Sequence, residues 1–124
     1  MTAKPDDGSP EGAYDPMGDE AAEMALLWLR KNADKAGVAK AQMVYMENYR
    51  KIVLNRLKMN SLAKSDAAAE TEARAHPDYE AACLALREAQ EIHEAMFWRR
   101  IAAEATIEAW RSRQASIRGA HKMT

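Results

Sequence analysis

The sequence of 124 residues is long enough for one domain and a tail. Its single cysteine excludes an internal disulfide framework, and the absence of a secretory leader and of an apolar run of about 18 residues predicts a cytoplasmic protein with no membrane contact. Good helix formers dominate the composition and no stretch alternates as a β-strand does, so we expect an all-α fold.

The net charge of -1 conceals four blocks of alternating sign along the chain. Residues 1–20 and 66–94 are acidic, with net charges of -5 and -6. Residues 30–64 hold nine Lys or Arg against two acids, and residues 99–122 hold six against two. Two basic regions are therefore candidates for contact with a polyanion.

The first block begins with an acidic segment rich in Pro and Gly. Residues 1–18 contain too few apolar side chains to offset the entropy of ordering, so we expect a disordered acidic tail there. Asp19 is a suitable N-cap for a first helix that ends near residue 33. A break signal follows at Asn32 to Gly37, although Gly37 can also lie inside a kinked continuation.

The second helix is predicted over residues 38–62, and its apolar side chains share one side of a helical wheel. We expect Tyr45 and Tyr49 on that side to belong to the core. Five basic residues of this helix are the candidate nucleic-acid-binding residues: Lys40, Arg50, Lys51, Arg56 and Lys58. The lysines lie opposite the apolar side and Arg50 lies between the two. Arg56 points toward the apolar side, where it snorkels at the rim or pairs with a neighbouring acid.

The remaining chain is predicted to hold one long helix. Residues 66–75 are compatible with a short helix or a loop. Pro77 suits the first turn of the last helix, which has no breaker until Gly119, a natural stop. Residues 19–119 then form the helical domain, and residues 120–124 a flexible C-terminus.

The last helix is apolar on two sides and therefore needs two partners. The two N-terminal helices, as a short hairpin packed on it, cover one side. A second copy of the chain is the simplest cover for the other, so we expect a homo-oligomer, which is a ring if the contact is head-to-tail and closes. The predicted oligomer interface consists of Ile92, Trp98, Trp110 and Ile117.

The sequence carries no recognisable catalytic motif. It has no Gly-rich phosphate loop, CxxC, HExxH or nucleophile elbow, so we expect no enzymatic activity and no cofactor. His93 lies next to Glu94, but a helical di-iron site requires Glu-x-x-His on two helices, and the residue three before His93 is Gln90, so a core or interface histidine is expected and no metal. Cys83 lacks the partners of a nucleophile and is expected to be a small buried residue.

The basic residues of the second helix have two interpretations. Most charged helix faces are simply solvated. This block, however, lacks the alternation of Glu and Lys found on ordinary exposed helices. In an oligomer it would recur on every copy as one positive surface, to which backbone phosphates bind without sequence preference. No helix-turn-helix signature accompanies it, which disfavours a regulator that reads duplex DNA.

Three segments in this order resemble the UvsY-type recombination mediators of tailed bacteriophages. They are "ALLWLRKNADK" in the first helix, "VYMENYRKIVLNRLK" in the basic helix, and "PDYEAACLALREAQEIHEAMFWRRIAAEATIEAWRSRQASIRG" in the last. The similarity spans roughly residues 21–119 and lies in layout and spacing. The paired aromatics that the family often places after its basic helix are replaced by "MNSLAKS".

The resemblance implies a non-enzymatic accessory protein of homologous recombination, in the host cell's cytoplasm if a phage encodes it. Such proteins bind single-stranded DNA as ring-like homo-oligomers. They help a RecA-like recombinase displace single-strand-binding protein and assemble its filament. The family's DNA contacts map to Arg50, Lys51, Arg56 and Lys58, and its C-terminal helix serves oligomerisation. The alternative is a phage protein–protein interaction module, an assembly chaperone or an inhibitor of a host protein, that does not bind nucleic acid.

Overall fold

The computed structural model describes residues 14–123, which form three α-helices and no β-strand. Helix α1 spans Asp19–Met59, α2 spans Asp66–Arg74 and α3 spans Pro77–Met123. The predicted all-α class is confirmed, and α1 packs against α3. Of the predicted disordered tail, residues 1–13 lie outside the described part of the chain.

Helix α1 is a single helix where two were predicted, so the N-terminal helical hairpin is wrong. Gly37 lies inside α1, and no atom comes within 4 Å of the position its Cβ would take. A glycine in a helix interior costs about 1 kcal/mol relative to alanine. Packing of α1 against α3 outweighs that penalty, because most helix stability in proteins comes from tertiary contacts.

The segment left open between helix and loop is helix α2. Its N-cap is Ser65, whose Oγ accepts a hydrogen bond from the Ala68 amide at 3.1 Å. Helix α3 begins at Pro77, as predicted, and the His76 Nδ1 accepts a hydrogen bond from the Asp78 amide at 3.0 Å. Both starts therefore follow the capping chemistry of the sequence.

Helix α3 does not stop at Gly119 but continues to Met123, so the predicted end is wrong. The residues after Gly119 include no proline, and nothing lies within 4 Å of its Cβ position. His121 and Lys122 occupy the last turn, where positive charge favours the helix dipole. Residues 120–123 of the predicted flexible C-terminus are consequently helical.

The chain divides into two compact units. One unit is Asn32–Arg99 and holds the second part of α1, all of α2 and the first part of α3. The other combines the residues up to Lys31 with those from Arg100 onward. Both long helices contribute to both units: Asn32–Arg99 is one continuous segment, whereas the other unit combines the first part of α1 with the last part of α3.

In the Asn32–Arg99 unit, α1 and α3 run antiparallel. Val53 of α1 packs on Tyr79 and Ala82 near the start of α3, whereas Ala39 of α1 shares a groove with Ala89. Residue numbers therefore fall on one helix as they rise on the other. Partly buried side chains complete the cluster around Val53: Leu54, Leu57 and Cys83.

The buried side of α3 in this unit follows a coiled-coil pattern. Its members alternate by three and four residues: Tyr79, Ala82, Leu86 and Ala89. Ala39 and Val53, the buried residues of α1 here, are two heptads apart. Alanine at three of these six positions permits a close approach of the two helices, since the interaxial distance depends on the side chains at the contact.

The tyrosines predicted for the core are exposed, so that prediction is wrong. Tyr45 is 57% exposed and Tyr49 37%, and their rings stack with centroids 6.2 Å apart. At 100° per residue, Tyr45 lies about 100° around α1 from the line through Ala39 and Val53 that faces α3. The larger apolar side of α1 is thus not the side that packs within the chain.

In the other unit, the first turns of α1 contact the last part of α3. The Trp110 indole Nε1 donates a hydrogen bond to the Asp19 carboxylate at 2.7 Å. Asp15 lies in the turn before α1, and its carboxylate forms an ion pair with the Arg113 guanidinium of α3. That contact and a hydrogen bond from the Met17 amide lower the pKa of the Asp15 carboxyl. Asp15, which belongs to the predicted tail, is therefore paired with α3.

Candidate nucleic-acid interface

Three of the five predicted DNA-binding residues lie on one flank of α1. At 100° per residue, Lys40, Lys51 and Lys58 fall within about 20° of one another around the helix. We call these three lysines the basic row. Lys40 and Lys51 are exposed, and neither makes an ion pair with any residue in the described range 14–123. Their ammonium groups are therefore accessible to an external anion.

Lys58 is paired within the chain. Its Nζ lies 3.1 Å from Asp66 Oδ1 and 3.6 Å from Glu70 Oε1, and its side chain is 22% exposed. The hydrogen bond with Asp66 raises the pKa of Lys58 above its ordinary value, and the charge of Glu70 adds to this. Helix α2 thus neutralises the C-terminal end of the basic row.

The two arginines of the predicted set lie elsewhere on α1. Arg50 is half-buried, toward the side that faces α3. Arg56 is exposed on the opposite flank from the basic row, where it lines a groove with Tyr49 of α1 and Ala81 and Ala85 of α3. The five predicted residues therefore do not form one continuous surface.

The acids that reduce the charge of the basic row were not predicted from the sequence. Asp66 and Glu70 belong to an acidic block that the sequence reveals, but only the fold brings α2 over Lys58. Glu47 also lies about 40° from Lys51 around α1 and four residues before it. A helical wheel drawn around Lys51 contains that signal, because residues four apart are neighbours on a helix.

The four residues predicted for the oligomer interface occupy different environments on α3. Ile92 and Trp98 are exposed, about 120° apart around the helix. The Trp98 Nε1 donates to the Glu94 carboxylate at 3.3 Å. Trp110 is half-buried against α1, as described above, and Ile117 is exposed one heptad farther along. Ile92 and Trp98 therefore lie on different sides of α3.

His93 and Cys83, the other residues weighed for a metal or catalytic role, pack against neighbouring side chains. His93 stacks on Phe97 with ring centroids 6.4 Å apart, and Cys83 packs half-buried beside the Val53 cluster. Across residues 14–123, no group of three or more His, Cys, Asp or Glu side chains is placed to hold a metal ion. None of the three helices, as described, combines the length and the apolar character needed to cross a membrane.

No protein-family model, no curated protein and no solved structure matches the chain. The similarity to UvsY-type mediators therefore stays a resemblance in the layout of three segments. What the basic row can bind therefore follows from the charges and side chains of α1 itself.

Two exposed lysines about 17 Å apart along α1 can each contact one phosphate of a flexible polyanion. Such contacts are sequence-independent, because a phosphate is the same beside every base. The Tyr45–Tyr49 pair lies on another face of α1 from the basic row. The arrangement is thus suited to backbone binding and not to base stacking beside the same lysines.

Proposed function

We propose that this protein is a non-enzymatic recombination mediator that binds single-stranded DNA without sequence specificity. In this proposal it acts as a homo-oligomer and assists the loading of a RecA-like recombinase onto strand covered by single-strand-binding protein. The observation that carries the proposal is the pair of exposed, unpaired lysines, Lys40 and Lys51, on one flank of α1. The resemblance of the chain's layout to UvsY-type mediators supplies the recombination context.

The electrostatics of the row support weak binding by one chain and stronger binding by several. Each lysine that neutralises a phosphate releases condensed counterions, so affinity falls steeply with salt. Two such contacts per chain give little affinity alone. An oligomer that presents the same pair on every copy gains by multivalency, because each further contact is made at a high effective concentration.

A mediator with these properties would compete locally for the strand. A backbone held at several spaced points is bent or kinked, and a resident binding protein is displaced from that segment. The free strand then becomes available to the recombinase. No bond is made or broken by the mediator, so this role requires no catalytic residue.

The direct test is fluorescence anisotropy with labelled oligo-dT and with a duplex of equal length at two salt concentrations. We expect preferential binding to the single strand that weakens with salt. The double variant Lys40→Ala, Lys51→Ala should lose most of that binding and show a flatter salt dependence. The matched control is Arg87→Ala, Arg111→Ala, which removes two exposed cations that already pair with acids on α3.

A functional readout follows from the same variants. Added to strand coated with single-strand-binding protein, the wild-type protein should shorten the lag before the recombinase hydrolyses ATP, and the Lys40/Lys51 variant should not. Equal binding by the wild type and this variant, with helicity unchanged by circular dichroism, would refute the site.

A second candidate function is favoured by the exposed apolar side chains of α1. Val38, Tyr45 and Ile52 are the kind of surface that a protein interaction module presents. In that case the chain is an assembly chaperone or an inhibitor of a host protein, as phages encode, and does not bind nucleic acid. Absence of binding to oligo-dT at low salt selects this candidate over the first.

A further inference from the structure

The exposed apolar side chains of α1 follow a heptad. Val38, Tyr45 and Ile52 are seven residues apart and are 69%, 57% and 45% exposed, with Tyr49 beside them. We call these four side chains the apolar stripe. A seven-residue apolar repeat is what one helix presents to another in a coiled coil. Since α3 packs mainly on a different side of α1, none of these four side chains is buried, and the least exposed, Tyr49, is still 37% exposed.

Two separate grooves lie beside the apolar stripe, both within the Asn32–Arg99 unit. Tyr49 lines one of them together with Ala81 and Ala85 of α3, and Val38 lines the other together with Ala89 and Ile92. Large side chains thus stand on α1 and mostly small ones opposite them on α3. A helix carrying large side chains at heptad spacing fits such a groove.

Charged residues stand at both ends of the apolar stripe, with opposite signs. Asp34 lies one turn before Val38 and lines the groove there, and Arg56 lies one turn after Ile52 and lines the groove at that end. Asp34 and Arg56 are each eleven residues from Tyr45. Both are exposed, and neither is in an ion pair within the described residues.

We infer that α1 of a second copy of the chain covers the apolar stripe and the two grooves beside it, paired antiparallel about Tyr45. In that orientation Val38 of one copy lies toward Ile52 of the other, and each Asp34 lies toward an Arg56. A parallel pairing would instead place Asp34 on Asp34 and Arg56 on Arg56. Like charges in contact are unfavourable, so the charges select the antiparallel arrangement.

The remaining charged groups that line the two grooves fit the same arrangement. Lys35 lines one groove with Asp34, and Asp78 of α3 lines the other with Arg56. Antiparallel pairing brings the groove with Lys35 toward the partner's groove with Asp78. The two ends of the stripe are thus complementary to each other, and a surface that is complementary to itself makes an isologous contact.

The pairing has a consequence for assembly and for the basic row. An isologous contact closes on itself and gives a two-fold dimer, whereas a ring needs a head-to-tail contact. Lys40 and Lys51 lie on another flank of α1 and remain accessible in the dimer. Arg56, predicted from the sequence to bind DNA, becomes an interface residue. This inference deepens the homo-oligomer part of the proposed function, and DNA binding by the lysines does not depend on it.

Sedimentation velocity of the full chain over a range of concentrations tests the inference, with folding checked by circular dichroism. The wild type should sediment as a dimer. Tyr45→Glu, which sets two carboxylates against each other at the two-fold axis, should sediment as a monomer. The matched control is Leu84→Glu, because Leu84 is an exposed apolar residue of α3 outside both groove linings, and it should stay dimeric.

Charge reversal tests the orientation. Asp34→Arg alone and Arg56→Asp alone should each weaken dimerisation by about tenfold or more, because each places like charges together. The double variant Asp34→Arg, Arg56→Asp should restore it, as coupled residues do in a double-mutant cycle. A wild-type chain that stays monomeric overturns the inference. So does a dimer that survives Tyr45→Glu, or a double variant no better than the single ones.

These results are independent of those for DNA. A dimer in which Lys40→Ala, Lys51→Ala leaves oligo-dT binding unchanged refutes the DNA-binding site and keeps the pairing. A monomer that binds oligo-dT through those lysines refutes the pairing and keeps the DNA-binding site.

Discussion

Removal of the two acids that hold Lys58 should increase binding to single-stranded DNA. The double variant Asp66→Asn, Glu70→Gln keeps the size of both side chains but removes the carboxylates 3.1 and 3.6 Å from the Lys58 Nζ. The ammonium group then becomes a third contact in line with Lys40 and Lys51. We expect tighter binding and a steeper dependence on salt.

The magnitude follows from counterion release. Each phosphate neutralised on a single strand contributes about 0.7 to the slope of log K against log salt. Lys40 and Lys51 together give a slope of about -1.4 per chain, and a released Lys58 makes it about -2.1. Over a roughly fourfold increase in salt, the added contact makes the affinity fall by about a further 2.6-fold.

Anisotropy titrations with labelled oligo-dT at several salt concentrations measure this slope directly. The matched control is Glu88→Gln, Glu104→Gln, which removes two exposed carboxylates from α3 and leaves Lys58 paired. Lower overall negative charge alone would make both variants bind more tightly. Release of Lys58 should steepen the slope in the α2 variant and not in the control.

The reasoning is refuted if the α2 variant shows the same slope as the control. That result would mean that Lys58 does not reach the strand even when it is free, and that the basic row ends at Lys51. A triple variant, with Lys58→Ala added to the two α2 substitutions, tests whether Lys58 causes the steeper slope. It should return the slope to the wild-type value.

Three further predictions test the fold. Gly37→Ala should raise the free energy of unfolding by roughly 0.5–1 kcal/mol in chemical denaturation, because α1 is continuous there and the added Cβ meets open space. Gly18→Ala is its control, because the added Cβ there would lie 3.1 Å from Asp15 Oδ2. A destabilised Gly37→Ala variant would contradict a continuous helix. Val53→Ala removes two buried carbons and should lower the free energy of unfolding by about 1–2 kcal/mol in the same assay; no loss would contradict the Val53 cluster. The pKa of Asp15 is lowered by Arg113, so their pairing stabilises the protein above the ordinary carboxyl value of 3.8 and is lost as the pH falls through the lowered one. The thermal midpoints of wild type and Asp15→Asn should differ near neutral pH and converge in acid, and a constant difference would exclude this linkage.

A local signal predicted the start of α3, whereas two glycine signals for helix ends failed. Pro77 acts within one turn of the chain, so its effect is visible in the sequence. Gly37 and Gly119 are also local signals, but each is a weak penalty of about 1 kcal/mol. At Gly37 the helix continues because α1 packs against α3, a contact between residues far apart in the sequence.

The pattern of burial was harder to predict, because α1 carries two apolar sides. The apolar side that a helical wheel predicts groups Val38, Tyr45 and Ile52 with Val53 and Leu57, and of these only Val53 is buried, with Leu57 partly buried against it. The side that packs within the chain also contains Ala39, whose small side chain permits close approach. Period alone cannot show which side a partner helix will take.

The charges of the candidate site were also predictable only where they depend on local spacing along one helix. Lys40 and Lys51 could be placed on an exposed flank from the sequence, since their spacing alone sets their direction. The pairing of Lys58 could not, because Asp66 and Glu70 reach it only after the chain reverses between α1 and α2. An acidic block close to a basic one in the sequence is nevertheless a reason to expect partial neutralisation.

The single chain buries small apolar side chains and leaves large ones exposed, which limits its stability. Within residues 14–123 no large side chain is fully buried, and most buried residues are alanines. Burial stabilises by about 25 cal/mol per Å² of apolar surface, so a contact made largely of alanine contributes little for its length. The side chains with most apolar surface, such as Tyr45 and Val38, remain in water. A second copy that covers them would add the burial that the single chain lacks, so the dimer should unfold at a higher temperature as the protein concentration rises.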